Sequence, residues 1–140
     1  MWLLSKWRVC NVILYFVTID WLFTNCQQLI QVQQEPDDLV LTPGSSVKVS
    51  CAITGTNNPD LFWYRWNEAA GFVLVFSSRG AGMMDPVSEG QFKSSRPTDL
   101  QMVLESEGLS EIGSAVWYCA AKDSQASQAY FGGGTKLTVL

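Results

Sequence analysis

Val47-Lys48-Val49-Ser50-Cys51-Ala52-Ile53 alternates apolar side chains with polar or small ones at every step. In a strand, successive side chains point to opposite faces, so Val47, Val49, Cys51 and Ile53 share one apolar face. A helical period of 3.6 would scatter them. The same period continues outward. On one side, Leu39-Val40-Leu41 is followed by the turn pair Pro43-Gly44. On the other, Thr54 to Asp60 is a Gly/Asn/Pro loop, and the strands Leu61–Trp66 and Phe72–Phe76 follow it. Ser77 to Gly90, rich in Ser, Gly and Asp, is expected to be loop or short edge strand. Leu100, Met102 and Leu104 alternate again, and Ala115–Ala120 and Thr135–Leu140 complete the series. No amphipathic helical face interrupts it. Many short strands without helices between them predict an all-β antiparallel sandwich or barrel, with Leu104 on a core-facing position.

The 140 residues suit one domain. A net charge of −4 with no basic cluster argues against nucleic acid and anionic membrane as partners. The chain has no histidine. That removes the commonest general base and zinc ligand and every Ser-His or Cys-His nucleophile pair. The close carboxylate pairs, Asp37-Asp38 and Glu105/Glu107, fall in a turn-like stretch and on a solvated strand face. No catalysis, metal or cofactor is expected.

Residues 1–26 have the layout of an export signal. Lys6 and Arg8 precede a mostly apolar run from Val9 to Ile19, Asp20 ends it, and Thr24 and Cys26 suit the −3 and −1 cleavage positions. Even extended through Phe23, the run is shorter than the ~20 residues needed to span a bilayer. Cleavage removes Cys10 and Cys26. Cys51 and Cys119 remain, and in an exported protein they most simply pair, the alternative being two free buried thiols.

Trp63 lies twelve residues after Cys51, and Cys119 follows at a distance, which resembles the Cys…Trp…Cys spacing of immunoglobulin variable domains. Trp63-Tyr64-Arg65 resembles that family's W-Y-R-Q, and Ser114-Ala115-Val116-Trp117-Tyr118-Cys119 its D-S-A-V-Y-Y-C. Tyr130-Phe131-Gly132-Gly133-Gly134-Thr135, continuing to Leu140, looks like a joining segment with its F-G-x-G-T. Gly132 and Gly134 are expected to take the positive φ of a bulge. Gly55 through Arg65 and Ser95-Arg96-Pro97-Thr98-Asp99 are similar to T-cell receptor β-chain variable regions. An immunoglobulin λ light chain shares Phe131–Leu140 almost letter for letter and is the alternative, and a non-rearranging cell-surface adhesion domain is a second.

The resemblance implies an immunoglobulin-like V-type antiparallel β-sandwich over residues 27–140. It places a V segment to about 121, a third recognition loop at about 121–129 and a joining segment at about 127–140. It also implies a Cys51–Cys119 bridge between the sheets, with Trp63 and Trp117 packed beside it. The sequence departs from the pattern in several places. Trp117 stands for the usual Tyr and needs room for a larger ring; Gly113 and Gln91 replace a usual Asp–Arg pair; and Trp66 replaces the Gln that pairs across receptor chains.

Alternation sets Phe62, Tyr64 and Trp66 on the strand face opposite Trp63, and Tyr118 and Phe131 are expected to join them as the chain-pairing surface. The resemblance implies a receptor α chain as partner and a peptide held by a major histocompatibility molecule (MHC) as ligand. The ligand would meet loops at about Thr54–Asp60, Ser77–Gly82 and Ala121–Ala129. Candidate contacts are Asn57, Asn58, Asp60, Ser78, Arg79, Lys122, Asp123, Gln125 and Gln128. The expected location is the secretory pathway and then the outer face of the plasma membrane, with any membrane anchor lying beyond Leu140.

Overall fold

The computed structural model describes residues 30–87, 90–110 and 113–140, so the expected signal at 1–26, with Cys10 and Cys26, lies outside the described residues. Among the described residues eleven strands follow one another: β1 (Gln31–Glu35), β2 (Asp38–Leu41), β3 (Val47–Thr54), β4 (Asp60–Asn67), β5 (Gly71–Ser78), β6 (Asp85–Pro86), β7 (Lys93–Thr98), β8 (Gln101–Ser106), β9 (Gly113–Lys122), β10 (Tyr130–Phe131) and β11 (Thr135–Val139). They form two sheets, one ordered β1-β3-β8-β7 and the other β2-β11-β9-β4-β5-β6 with β10 paired to β9. All pairings are antiparallel except β2 with β11, which is parallel. No helix among the described residues is long and apolar enough to cross a membrane.

The alternation of Val47–Ile53 holds residue by residue: in β3, Val47, Val49, Cys51 and Ile53 are buried while Lys48, Ser50, Ala52 and Thr54 are exposed. Met102 and Leu104 of β8 and Leu137 and Val139 of β11 meet that face from both sheets. Each fully buried apolar side chain of this size contributes roughly 2 kcal/mol. Across the core, Cys51 and Cys119 form the disulfide, with Cα atoms 6.4 Å apart. Trp63 sits in register with Cys119 and is fully buried, and its indole N–H donates to Ser94 Oγ at 3.0 Å. Trp117 is equally enclosed. Its ring meets Trp63 edge-on at 6.5 Å, Phe92 at 4.7 Å and the Arg65 guanidinium at 5.7 Å, which is how the larger ring is housed.

Two strands went unread in the sequence. β1 and β7 are polar (QVQQE and KSSRPT), and each has one buried side chain, Gln34 and Arg96. Gln34 ties β1 to the other sheet. Its amide donates to Trp117 O at 2.7 Å and Thr135 Oγ1 at 3.0 Å, and its carbonyl accepts from the N–H groups of Cys119 and Gly134. The absent Asp–Arg pair is answered by neutral bonds: Gln91 donates to Ser110 Oγ at 2.6 Å and accepts from Ser110 N–H at 3.1 Å.

The glycines of the joining segment serve different ends. Gly134 has φ 94°, as expected of a bulge, whereas Gly132 does not have positive φ. Gly132 is required for space, because a Cβ there would come within 2.6 Å of Gln34 Oε1. A Cβ on Gly133 would meet nothing within 4 Å. Gly133→Ala is therefore expected to leave the urea midpoint within experimental scatter. Gly132→Ala should lower stability by about 1–3 kcal/mol through displacement of the Gln34 network. Equal midpoints for the two variants would show that the network yields without cost.

Candidate functional site

The strands of the larger sheet bring together a surface of aromatic rings. Tyr64 of β4 lies 6.3 Å from Phe62, 5.6 Å from Phe131 of β10 and 6.4 Å from Phe72 of β5, and Phe72 lies 5.6 Å from Tyr118 of β9. The pairing registers are responsible. Tyr64 is opposite Tyr118, and Phe131 is opposite Ala120, two residues along the same strand and so on the same face. Phe72 is 61% and Phe131 51% exposed, so these two rings are offered to solvent, with Phe62, Tyr64 and Tyr118 half-buried beside them. Four of the five residues expected here belong to this set. Trp66 stands apart, at 37% exposure, in register with Phe72 and Val116, and it lines an open depression with Phe92, Leu109 and Trp117. Phe72–Phe76 is apolar at every position, so its sequence does not show which way Phe72 faces.

At one end of the sandwich the three expected loops converge. Asp60 starts β4 and lies in register with Lys122 at the end of β9, which sets the first and third loops side by side. The Thr56 hydroxyl donates to Asp123 Oδ1, linking the same two loops. Arg79 reaches Asp60 at 3.4 Å and joins the second loop to the first. A pair in which Arg79 is mostly solvent-exposed contributes little stability, under about 1 kcal/mol, but it orients both chains. Within the third loop, Ala126 N–H donates to Asp123 O at 2.9 Å, and this turn leaves Gln125 and, beyond it, Gln128 exposed. Asn57, Asn58 and Arg79 are exposed; Lys122 and Asp123 are half-buried.

Two expected contact residues are corrected. Ser78 is 1% exposed, and its hydroxyl donates to Met83 O at 2.5 Å and Gly80 O at 3.1 Å. The cause is a bulge in β5: Trp63 pairs with Phe76 but Tyr64 pairs with Leu74, so Val75 is extra and the inward parity shifts by one. Val75 and Phe76 are consequently both buried, and Ser78 follows Phe76 inward. Asp60 is 8% exposed and presents its carboxylate to Arg79 rather than to solvent.

Beneath the loops lies Arg96 of β7, a residue the sequence marked only by resemblance. It is 1% exposed. Its Nη1 donates to Ser78 O at 2.9 Å and Ser78 Oγ at 3.2 Å, and its Nη2 to Pro59 O and Asp99 O, both at 2.7 Å. Burial pushes the guanidinium pKa below its ordinary value, and the nearby charges of Asp99 and Asp60 act against that. Among the described residues no group of three or more His, Cys, Asp or Glu side chains is arranged to hold a metal ion.

A two-sheet sandwich bridged between its sheets, with a strand-borne aromatic face and three loops at one end, defines an immunoglobulin variable-type binding domain. The Immunoglobulin V-set domain family matches residues 34–140. Human T cell receptor beta variable 30 is 36% identical over 89 residues, covering 64% of this chain and 80% of that one. A mouse T-cell receptor beta chain V region is 34% identical over 116 residues, 78% of this chain and 91% of that one. A mouse T-cell receptor alpha chain V region is 33% identical over 110 residues, 77% of this chain and 80% of that one. Among solved structures, a chain from work on T cell specificity and activation by the bacterial superantigen toxic shock syndrome toxin-1 superposes with a TM-score of 0.71 at 27% identity, over 79% of this chain and 99% of that one. The chain belongs to the immunoglobulin V-set family and, within it, to the T-cell receptor variable domains. It is a receptor domain of the extracellular, secretory kind and not an enzyme.

Proposed function

We propose that the chain is the variable domain of a T-cell receptor β chain, that an α chain covers its aromatic face, and that the pair binds peptide–MHC at the surface of the plasma membrane. The observation that carries this is the ring cluster Phe62, Tyr64, Phe72, Tyr118 and Phe131, with Phe72 and Phe131 exposed, on a sandwich whose first loop is tied to both the second and the third. Exposed aromatic surface of this extent marks a protein interface. The joining pattern Tyr130-Phe131-Gly132 and the similarity to β-chain variable regions support β over α. Asn57, Asn58, Arg79, Lys122, Asp123, Gln125 and Gln128 are the residues assigned to ligand contact, with Asp60 and Ser78 supporting them from below.

Co-secretion tests the partner. Expressed with a panel of receptor α chains and, separately, of immunoglobulin heavy chains, the chain is expected to be recovered as a heterodimer with α chains alone. Recovery with heavy chains would make it a light chain. In a paired receptor that binds a given peptide–MHC, Gln125→Ala with Gln128→Ala is expected to weaken that binding at least about tenfold and to leave pairing unchanged. Equal affinity would remove the third loop from the contact surface.

A further inference from the structure

We propose that Arg96 is a positioning residue: its buried guanidinium clamps the ends of the first and second loops and the β7–β8 turn into one fixed geometry. Pro59 closes the first loop, Ser78 opens the second, and Asp99 sits in the turn between β7 and β8. These three segments are remote in sequence, and all hand their carbonyls to one side chain. The backbone of the same residue reinforces the arrangement, since Arg96 O accepts from Gly82 N–H at 2.8 Å in the second loop. Asp99 Oδ1 also accepts from Ala81 N–H at 3.3 Å.

The chemistry of the clamp argues for position over stability. Every acceptor hydrogen-bonded to the guanidinium is a neutral oxygen, so the buried charge has no bonded carboxylate to offset its desolvation. An apolar side chain of similar volume commonly matches or exceeds a buried ion in stability. What it cannot do is present two rigid, coplanar donor groups to several carbonyls at once. Lysine, with one ammonium on a flexible stem, reaches fewer of them. The geometry stands by itself; that it prepares a surface for antigen rests on the function proposed above.

The test is hydrogen exchange and 15N relaxation on the secreted chain. In the unmutated chain the Arg96 Nη protons are expected as separate, slowly exchanging resonances; a single averaged resonance would overturn the clamp without any variant. In Arg96→Met, exchange at Ala81, Gly82 and Met83 should rise about tenfold or more, and the heteronuclear NOE at Asn57 and Asn58 should fall with it. Protection at Cys51, Leu104 and Cys119 should hold. Arg96→Lys should fold and show the same local loosening to a smaller degree. Loss of protection in proportion throughout β3, β8 and β9, or loops unchanged in a folded variant, would overturn the proposal. Peptide–MHC binding is read separately in the paired receptor. If the unmutated pair binds none, the antigen reading fails while exchange alone decides the clamp.

Discussion

Cys51→Ala is expected to abolish secretion of the chain. The bridge joins residues 68 apart, and closing a loop of that length constrains the unfolded chain by about 4 kcal/mol on the chain-entropy estimate. A domain of this size is stable by only about 5–15 kcal/mol in total, so the loss consumes much of the margin. Both sulfurs also sit in the core, where Cys51 is 1% exposed and Cys119 is wholly buried, and truncation there leaves a void beside Trp63. The variant Cys51→Ala/Cys119→Ala carries no orphan thiol and is expected to behave as the single one does. Secreted yield and urea midpoint check this. Normal export with an unchanged midpoint in the double variant would show that packing alone holds the sheets together.

The second large effect concerns the aromatic face. Phe72→Ala and Phe131→Ala remove the two most exposed rings of the cluster, so each should leave the urea midpoint of the unpaired chain nearly unchanged. Each is also expected to weaken pairing with an α chain by about 10- to 100-fold, or roughly 1.4–2.8 kcal/mol, as truncation of an aromatic anchor does. The unpaired chain should self-associate through the same rings, and both substitutions should reduce that in sedimentation. Lys48→Ala, on the outer face of the other sheet, serves as the control with no expected effect. Trp66→Gln is expected to weaken pairing less than either, because Trp66 stands outside the chain of ring contacts. If Phe72→Ala/Phe131→Ala pairs as tightly as the parent, the face is not the pairing surface.

The strands with one apolar face were legible. β3, β8 and β11 alternate cleanly because one side meets the core and the other meets water, and a period of two is the direct trace of that asymmetry. β1 and β7 were not legible, for the opposite reason. Their buried side chains are Gln34 and Arg96, polar groups whose cost of burial is met by partners far away in sequence, such as Trp117 O and Pro59 O. A polar residue in a polar strand carries no periodic signal of being inside. Phe72 was obscured differently: an apolar run such as Phe72–Phe76 does not say which of its residues face outward.

The sequence by itself determined the class of fold, the bridged cysteines, the inward Trp63 and the place of the three loops. These follow from local periodicity, turn chemistry and a family pattern that are all written along the chain. Only the tertiary structure decided which polar residues face solvent at the site. The extra residue Val75 in β5 reverses the facing of everything after it, turning Ser78 inward toward Arg96. A bulge is a mismatch between two paired strands, and a single strand read alone cannot show it. The same holds for the clamp at Arg96, whose acceptors come together only when β4, β5 and the β7–β8 turn meet at one end of the sandwich.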